Sequence, residues 1–317
     1  MIRILLGAAL ALIASAAVAQ PYPSKPIRVV VPFAPGGPVD VVARLLAPKM
    51  NELLGQQLVI ENKAGAGGNL GVSQVARSSP DGYTVLMTSS SFAVNPTLTP
   101  DPGYNAEKDF TPIAVVASQP NFIVVNAAFP ARTLAELLQM ARTQKLAFAS
   151  PSSGTTPHLT AENLFRVRAK VDITHIPFKG AGPAAAAVLA GEPPIGSMAG
   201  TAPMPHIKSG KLRALAVSSK LRVPSLPDVP TLGELGFADM EDYTWVGIFV
   251  PAATPPEIAQ KLNDIVLRAV QVPEVRERLE ALTFEITAAP LKPTAGYVRA
   301  ELVKWAKVVR DTGAKPE

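Results

Sequence analysis

The feature that most constrains the fold of this chain is an alternation of short apolar runs with segments of helical periodicity. In the first half, the runs Ile27–Val31, Leu58–Glu61 and Thr84–Thr88 alternate with helical patterns over Val39–Leu54 and Leu70–Arg77. The first run lacks polar alternation, which is typical of parallel strands covered by helices on both faces. The sequence therefore predicts a doubly wound α/β lobe.

The same alternation restarts after Phe122–Val125, which predicts a second α/β lobe. Its strands are predicted at 146–149, 172–177, 195–198 and 212–218, and its helices at 134–142, 159–166 and 184–190. Amphipathic helices are predicted at 256–270, 273–282 and 294–309. Since 317 residues suit two domains, we expect two doubly wound lobes with a ligand cleft between them. Lobe 1 comprises residues 20–121 plus 246–317, and lobe 2 comprises residues 122–245.

The first nineteen residues have the pattern of a cleaved secretory signal peptide. Arg3 precedes an apolar run over Ile4–Ala14, and Ala17-Val18-Ala19 forms a small-residue cleavage pattern. The run is shorter than the roughly 20 residues of a membrane span, and the absence of cysteine suits an oxidising compartment. We expect residues 1–19 to be removed, leaving a soluble mature protein; an uncleaved anchor is the alternative.

Three strand-to-helix loops share one construction, in which glycine and proline precede a helix. In the first, Pro32–Asp40, Gly37 is predicted as the N-cap and Pro38 as the first helical residue, where a missing N–H costs nothing. The N–H groups of this loop, including that of Gly36, are predicted to be exposed. Glycine lets a ligand approach the backbone, and a helix start carries a partial charge of about +0.5 that attracts carboxylate or phosphate.

The second and third loops are Ser150–His158 and Phe178–Pro183. Thr156 is the predicted N-cap of the second, and Gly182-Pro183 marks the helix start of the third. Opposed loops of this kind predict that a small dicarboxylate is clamped with one end in each lobe, by charge-assisted hydrogen bonds of about 1.5–3 kcal/mol each. Ordinary helix punctuation by glycine and proline is the alternative.

Charge and motifs argue against several other functions. The net charge of +5 is not gathered into basic runs, as nucleic-acid binding would require. The run Gly65–Gly71 is similar to a dinucleotide fingerprint, but Leu70 stands where its last glycine belongs. No nucleophile elbow occurs, and the three histidines are dispersed in sequence. We expect no catalytic activity, no cofactor and no metal.

Five motifs carry a resemblance to a known family. They read PFAPGGPVDVVARLLAPKM, VIENKAGAGGNLG, SPDGYTVLM, GKLRALAVSS and LPDVPTLGELGF. On these motifs the chain strongly resembles the solute receptors of tripartite tricarboxylate transporters, also called Bug receptors, from about Tyr22 to its C-terminus. The resemblance implies a type II periplasmic binding protein fold. It also implies a small ligand, usually a carboxylate, held largely by backbone donors and bridging waters.

The resemblance assigns candidate ligand-binding residues in the three loops and at one strand end. These residues are Phe33, Ala34, Pro35, Gly36, Gly37, Asp40, Thr88, Ser89, Ser90, Ser153, Gly154, Thr155, Thr156, His158, Lys179, Gly180 and Ala181. Some keep an alternative: Asp40 either stabilises its helix or meets the ligand, and His158 either bonds the ligand or has a solvated or capping role. Lys179 either pairs with the ligand or is solvated, and Phe33 and Phe178 either flank the ligand or anchor their loops.

The function implied by the resemblance is that of a monomeric periplasmic receptor. It would bind a mono-, di- or tricarboxylate, aromatic acids included, and deliver it to the small and large membrane subunits of a tripartite transporter. It would have no nucleic-acid partner. A ligand-sensing receptor without transport is one alternative, and an enzyme acting on a carboxylate is another.

Overall fold

A computed structural model describes residues 22–316, so the predicted signal peptide lies outside the described residues. The strands are β1 (Ile27–Val31), β2 (Leu58–Asn62), β3 (Thr84–Ser89), β4 (Phe110–Asn126), β5 (Leu146–Ser150), β6 (Ile173–Pro177), β7 (Ile195–Ala199), β8 (Leu212–Val217), β9 (Tyr243–Pro251) and β10 (Glu285–Ile286). The α-helices are α1 (Pro38–Leu54), α2 (Asn69–Ala76), α3 (Ser91–Leu98), α4 (Leu134–Ala141), α5 (Thr156–Glu162), α6 (Ala181–Ala190), α7 (Met204–Lys208), α8 (Pro256–Val270), α9 (Pro273–Ala281) and α10 (Leu291–Thr312). A 3₁₀ turn (Ala66–Gly68) precedes α2, and a π-helical turn (Asn163–Arg168) extends α5.

The strands form a mixed sheet in the order β2-β1-β3-β9-β4-β7-β5-β6, with β8 and β10 also paired to β4. The outer strands are parallel on each side, β2-β1-β3 at one end and β7-β5-β6 at the other. The long strand β4 pairs with β9 from Phe110 to Pro120 and with β7 and β8 from Asn121 to Asn126. This change of partner supports the division into two lobes near residue 121, which we retain as a proposal.

Large side chains fix the central strand β9 in the core. Trp245 and Phe249 of β9 and Trp305 of α10 are fully buried in one cluster. The carboxylate of the buried Glu301 accepts from the indole Nε1 of Trp245 at 2.8 Å and from that of Trp305 at 2.9 Å. The polar atoms of both indoles are therefore satisfied. These contacts hold β9 in place next to Thr244, which precedes Trp245 and lines the cleft described below.

The helix starts show where the predicted caps were right and where they were wrong. Gly37 caps α1 with Pro38 as its first residue, as predicted. Helix α5 is capped by Thr155 rather than Thr156, and α6 is capped by Gly180, so Pro183 is its third residue rather than its first. Proline fits anywhere in a first turn, because none of the N–H groups there has an intrahelical partner. It therefore marks the turn and not the cap.

Helix α3 and most of β4 were absent from the predicted elements. Helix α3 is buried nearly all round and contains Pro96, so it has neither an amphipathic stripe nor an uninterrupted helical pattern. Strand β4 contains Pro112 and Pro120, residues that normally interrupt a central strand. Tertiary packing stabilises both elements against their local signals.

Candidate functional site

Two adjacent cavities lie between the strand ends of the two halves of the sheet. The inner cavity, about 40 Å³, is lined by the starts of α1, α5 and α6 and by Thr244. The outer cavity, about 350 Å³, is lined by Phe33, Phe178, Lys179 and the residues 64–69. Phe33 and Gly180 line both cavities, so the two are adjacent, and we call them together the cleft.

The inner cavity is a narrow space between opposing helix N-termini. Gly37 has extended backbone angles, φ −82° and ψ 172°. A Cβ atom placed on Gly37 would lie 4.0 Å from the Cβ atom of Ala181, at the start of α6. The first N–H groups of α1 and α6 have no carbonyl partner within their own helices. The geometry therefore gathers partial positive charge at this point without a basic side chain.

In the first loop, the carboxylate of Asp40 turns back into its own helix start. It accepts from the backbone N–H of Gly36, from Nε of Arg44 and from Nδ2 of Asn62, each at 3.0 Å. Burial alone would raise the pKa of Asp40, but these hydrogen bonds and the Arg44 charge hold it below its usual value. The N–H of Gly36 is thus occupied, which corrects the prediction that it is exposed.

In the second loop, His158 is buried and binds the loop backbone through a hydrogen bond. Its Nδ1 accepts from the N–H of Gly154 at 3.3 Å, and its ring stacks on that of His175 at 4.0 Å between centroids. The Nε2 atom of His175 lies 2.7 Å from Oγ of Ser150. Burial lowers the pKa of His158 to about 3 and that of His175 to about 4, so both rings are neutral at pH 7.

The histidines are dispersed in sequence, but their geometry brings two of them together and corrects one expectation about His158. His158 and His175 are 17 positions apart in sequence but in contact in the fold, because the parallel strands β5 and β6 carry the second loop and His175 side by side. A solvated role for His158 is ruled out by its 3% exposure. Its contact with Gly154 is instead the support of a loop.

The cleft brings together most of the residues predicted for the site. Those that line it are Phe33, Ala34, Gly37, Ser89, Ser153, Thr155, Thr156, Lys179, Gly180 and Ala181. Those that do not line it are Pro35, Gly36, Asp40, Thr88, Ser90, Gly154 and His158. The second group lies behind the cleft wall or within the loops, and the role of either group in ligand binding stays a prediction.

Besides the three loops, a fourth segment lines the outer cavity, and sequence reasoning missed it. It is formed by the glycine-rich run that was rejected as a dinucleotide motif, at positions 64–69. A Cβ on Gly67 would lie 2.9 Å from the carbonyl oxygen of Ser153, and one on Gly68 would lie 3.1 Å from the Phe33 ring. The glycines are therefore needed for close packing across the cleft, and their density in the sequence was the available signal.

The cleft is nearly free of side-chain charge. Of the described residues that line it, Lys179 alone carries a charge. Phe33 and Phe178 line the outer cavity and also pack, half-buried, against the core clusters behind them. Within residues 22–316, no cluster of three or more metal-ligating side chains occurs. No helix in this part of the chain is long and apolar enough to span a membrane.

A mixed sheet whose long strand β4 passes from one half to the other, with a narrow cleft between helix N-termini, defines a two-lobed solute-binding protein. The chain belongs to the tripartite tricarboxylate transporter receptor family, whose model matches residues 42–314. The predicted family and the receptor function are thereby confirmed, and the family is one of binding proteins rather than enzymes.

Solved structures agree with this assignment. The periplasmic binding protein BugD is 35% identical and has a TM-score of 0.89, over 93% of this chain and all of that one. Rpa4515 of R. palustris, solved with adipate, is 31% identical with a TM-score of 0.89 over the same shares. MatC from Rhodopseudomonas palustris, solved with malate, is 34% identical with a TM-score of 0.86, over 91% of this chain and all of that one. The predicted periplasmic binding protein fold is confirmed.

Proposed function

We propose that this receptor binds a small organic carboxylate in the cleft and works in the periplasm as part of a carboxylate transport system. The observation that carries the proposal is the inner cavity, where the start of α1 at Gly37 faces the start of α6 at Ala181. Relatives of the same fold have been solved with adipate and with malate, which supports a carboxylate as the ligand.

The two cavities divide the ligand between them. The inner cavity, about 40 Å³, is much smaller than the outer cavity of about 350 Å³, so it receives one carboxylate group of the ligand. Main-chain N–H groups at the helix starts bind this carboxylate, each contributing about 1.5–3 kcal/mol. The rest of the ligand occupies the outer cavity between Phe33 and Phe178, with Lys179 at its edge.

Of the two roles expected for Asp40, we assign the one at its own helix start. Its carboxylate is committed to Gly36, Arg44 and Asn62, so it shapes the first loop and does not meet the ligand. The positive charge of Arg44, 2.9 Å away, offsets the repulsion that Asp40 would exert on a bound anion.

The transport role rests on the family and on the N-terminus. Residues 1–19 have the pattern of a signal peptide, and BugD is a periplasmic protein. The family name links such receptors to a tripartite transporter. We therefore propose export to the periplasm as a monomer, closure of lobes 1 and 2 on the ligand, and delivery to small and large membrane subunits.

Calorimetric titration of purified residues 20–317 tests the ligand class. The panel pairs each acid with its neutral amide: adipate with adipamide, malate with malamide, and benzoate with benzamide. We expect saturable 1:1 binding of at least one acid and none of its amide, because helix starts favour the anion. Equal binding of acid and amide, or conversion of an acid to product, would overturn the proposal.

A further inference from the structure

A chain of buried hydroxyl and amide groups runs directly behind the inner cavity. We call it the hinge chain, and it consists of Ser90, Thr156, Thr244 and Asn121. Oγ of Ser90 lies 3.0 Å from Oγ1 of Thr156, which lies 2.7 Å from Oγ1 of Thr244, which lies 2.8 Å from Oδ1 of Asn121. All four residues are at most 5% exposed, so water does not substitute for these contacts.

The direction of every hydrogen bond in the hinge chain is fixed from one end. Oγ1 of Thr160 has one proton, which it donates to the carbonyl oxygen of Thr156 at 2.9 Å or to the Asp242 carboxylate at 3.3 Å. It can therefore only accept from Nδ2 of Asn121, 3.0 Å away. This orients the Asn121 amide so that its Oδ1 faces Thr244.

The remaining donors follow, because each hydroxyl has a single proton. Thr244 donates to Asn121, so Thr156 must donate to Thr244, and Ser90 must donate to Thr156. Neither Ser90 nor Thr156 then has a hydroxyl proton left for a ligand carboxylate. At Thr156, the first residue of α5, the donor that remains is its backbone N–H.

The hinge chain joins the elements that would have to move against each other when the lobes open. Ser90 follows β3 and belongs to proposed lobe 1, whereas Thr156 begins α5 in proposed lobe 2. Asn121 lies on β4 where that strand changes partner. Thr244 lies near the start of β9, where the chain leaves proposed lobe 2 and pairs with β3 and β4. The hinge chain thus ties the start of α5 to Ser90, to β4 and to β9.

We infer that the hinge chain is a positioning device that holds the start of α5 at the inner cavity and thereby sets the rate at which ligand leaves. Opening the lobes separates Ser90 from Thr156, which leaves a polar group without its partner until water enters. The inference rests on the proposed function only for its ligand readout, since the hydrogen bonds of the hinge chain are contacts within the protein itself.

The test compares two substitutions at Thr244 with a matched control. Thr244→Val keeps the shape and removes the hydroxyl, whereas Thr244→Ser keeps the hydroxyl. Thr254→Val is the control, because Thr254 is 6% exposed and its hydroxyl has no hydrogen-bond partner among the described residues. Stopped-flow kinetics with whichever of adipate, malate and benzoate binds the wild type most tightly gives the association and dissociation rate constants, and small-angle scattering of the ligand-free proteins gives the degree of opening.

We expect Thr244→Val to dissociate about tenfold faster, the effect of one buried hydrogen bond, with a much smaller change in the association rate constant. Thr244→Ser should recover most of the loss, and Thr254→Val should match the wild type. Ligand-free Thr244→Val should have a larger radius of gyration than the wild type. A dissociation rate unchanged in Thr244→Val, or one that Thr244→Ser fails to recover, overturns the inference.

The variant Ser90→Ala distinguishes positioning of α5 from direct contact with the ligand. It also replaces Thr244→Val in the test if that variant does not fold. Thr244 lines the inner cavity, but Ser90 lines neither cavity. Faster dissociation in Ser90→Ala therefore supports positioning, whereas a wild-type rate in Ser90→Ala overturns it. If the wild type binds no carboxylate, the proposed function fails, and the scattering comparison still decides on the hinge chain.

Discussion

The first loop, Pro32–Asp40, and the second loop, Ser150–His158, each direct a helix start at the same cavity, but they are supported by opposite kinds of chemistry. Behind the first lies an ion pair, in which Asp40 accepts from Arg44 and from the loop N–H of Gly36. Behind the second lies a stack of two neutral imidazoles, in which His158 accepts from the loop N–H of Gly154.

Despite this difference, the two loops share one arrangement. An acceptor side chain on the helix reaches back to the N–H of a glycine with positive φ, 84° at Gly36 and 75° at Gly154. Asp40 accepts this hydrogen bond as a negatively charged group, and Arg44 offsets its charge. His158 accepts it as a neutral ring, because burial keeps the ring unprotonated. Neither loop adds net charge to the cleft, so the attraction for an anion is left to the helix starts.

A substitution at the cap of α1 in the first loop should change ligand binding most. Gly37→Val should reduce carboxylate affinity by about 100-fold or more, because the branched side chain fills the space between Gly37 and Ala181 and displaces the ligand carboxylate. The free energy of unfolding should change little, since φ at Gly37 is −82° and a Cβ there meets no atom closer than 3.9 Å. Calorimetric titration and urea denaturation give the two quantities.

Gly154→Ala is the contrasting variant in the second loop. Its backbone has φ +75°, and the new Cβ would lie 2.2 Å from Oδ1 of Asn95. We expect this variant to lose stability as well as affinity. If Gly37→Val bound ligand normally, or if it were as unstable as Gly154→Ala, the first loop would be wrongly placed at the ligand.

The second expected effect is a dependence on pH that comes from the second loop. The pKa values of His158 and His175 are near 3 and 4 in the folded protein, below the ordinary 6.5, so the unfolded chain binds protons first on acidification. Their contribution to stability is complete above about pH 6.5 and declines as the pH falls towards about 3. At pH 5 the loss should be about 2 kcal/mol for each of the two histidines.

Urea denaturation at pH 7 and pH 5 measures this loss. The double variant His158→Gln, His175→Gln should be less stable at pH 7 but should lose much less between the two pH values. His206→Gln is the control, because His206 lies on α7 outside the stacked pair. A wild-type pH dependence in the double variant would contradict the assignment.

The two loops also show which features of the site can be predicted from the sequence. Gly37 and Pro38 have strong local preferences for a helix start, so the cap of α1 was predictable from neighbouring residues. The pair of His158 and His175 was not, since it depends on which strands become neighbours. Thr244 was missed for the same reason, because a threonine in a buried strand has no local signal of function.

The third expected effect concerns the ion pair of the first loop. Asp40→Asn should lower the free energy of unfolding by about 1 kcal/mol, because the charge-assisted hydrogen bonds from Arg44 and Gly36 become neutral ones. The Arg44 side chain is half exposed, which limits the loss. The pKa of Asp40 is held below its usual value, so its contribution is present at neutral pH and lost on acidification.

Binding distinguishes the roles considered for Asp40. Since its carboxylate lines neither cavity, carboxylate affinity should change less than about threefold in Asp40→Asn, within the range of a screened charge. Arg44→Gln, which removes the other half of the pair, should weaken binding slightly, because Asp40 is then left uncompensated. A large gain or loss of affinity in Asp40→Asn would show that Asp40 acts on the ligand directly.

The smallest expected effect tests whether a basic side chain contributes at all. Lys179 lines the outer cavity but is exposed, and salt bridges of exposed groups contribute about 0–1 kcal/mol. Lys179→Met should therefore weaken carboxylate binding by about threefold at most, and this loss should shrink as salt is raised from 0.05 to about 0.5 M, because screening removes the difference. The backbone donors of the inner cavity are buried and act over short distances, so the wild type should keep most of its affinity at the higher salt concentration. Titration of both proteins at the two salt concentrations makes the comparison. A tenfold or larger loss of carboxylate affinity in Lys179→Met would show that a side chain, and not the helix starts, provides the main attraction for the anion.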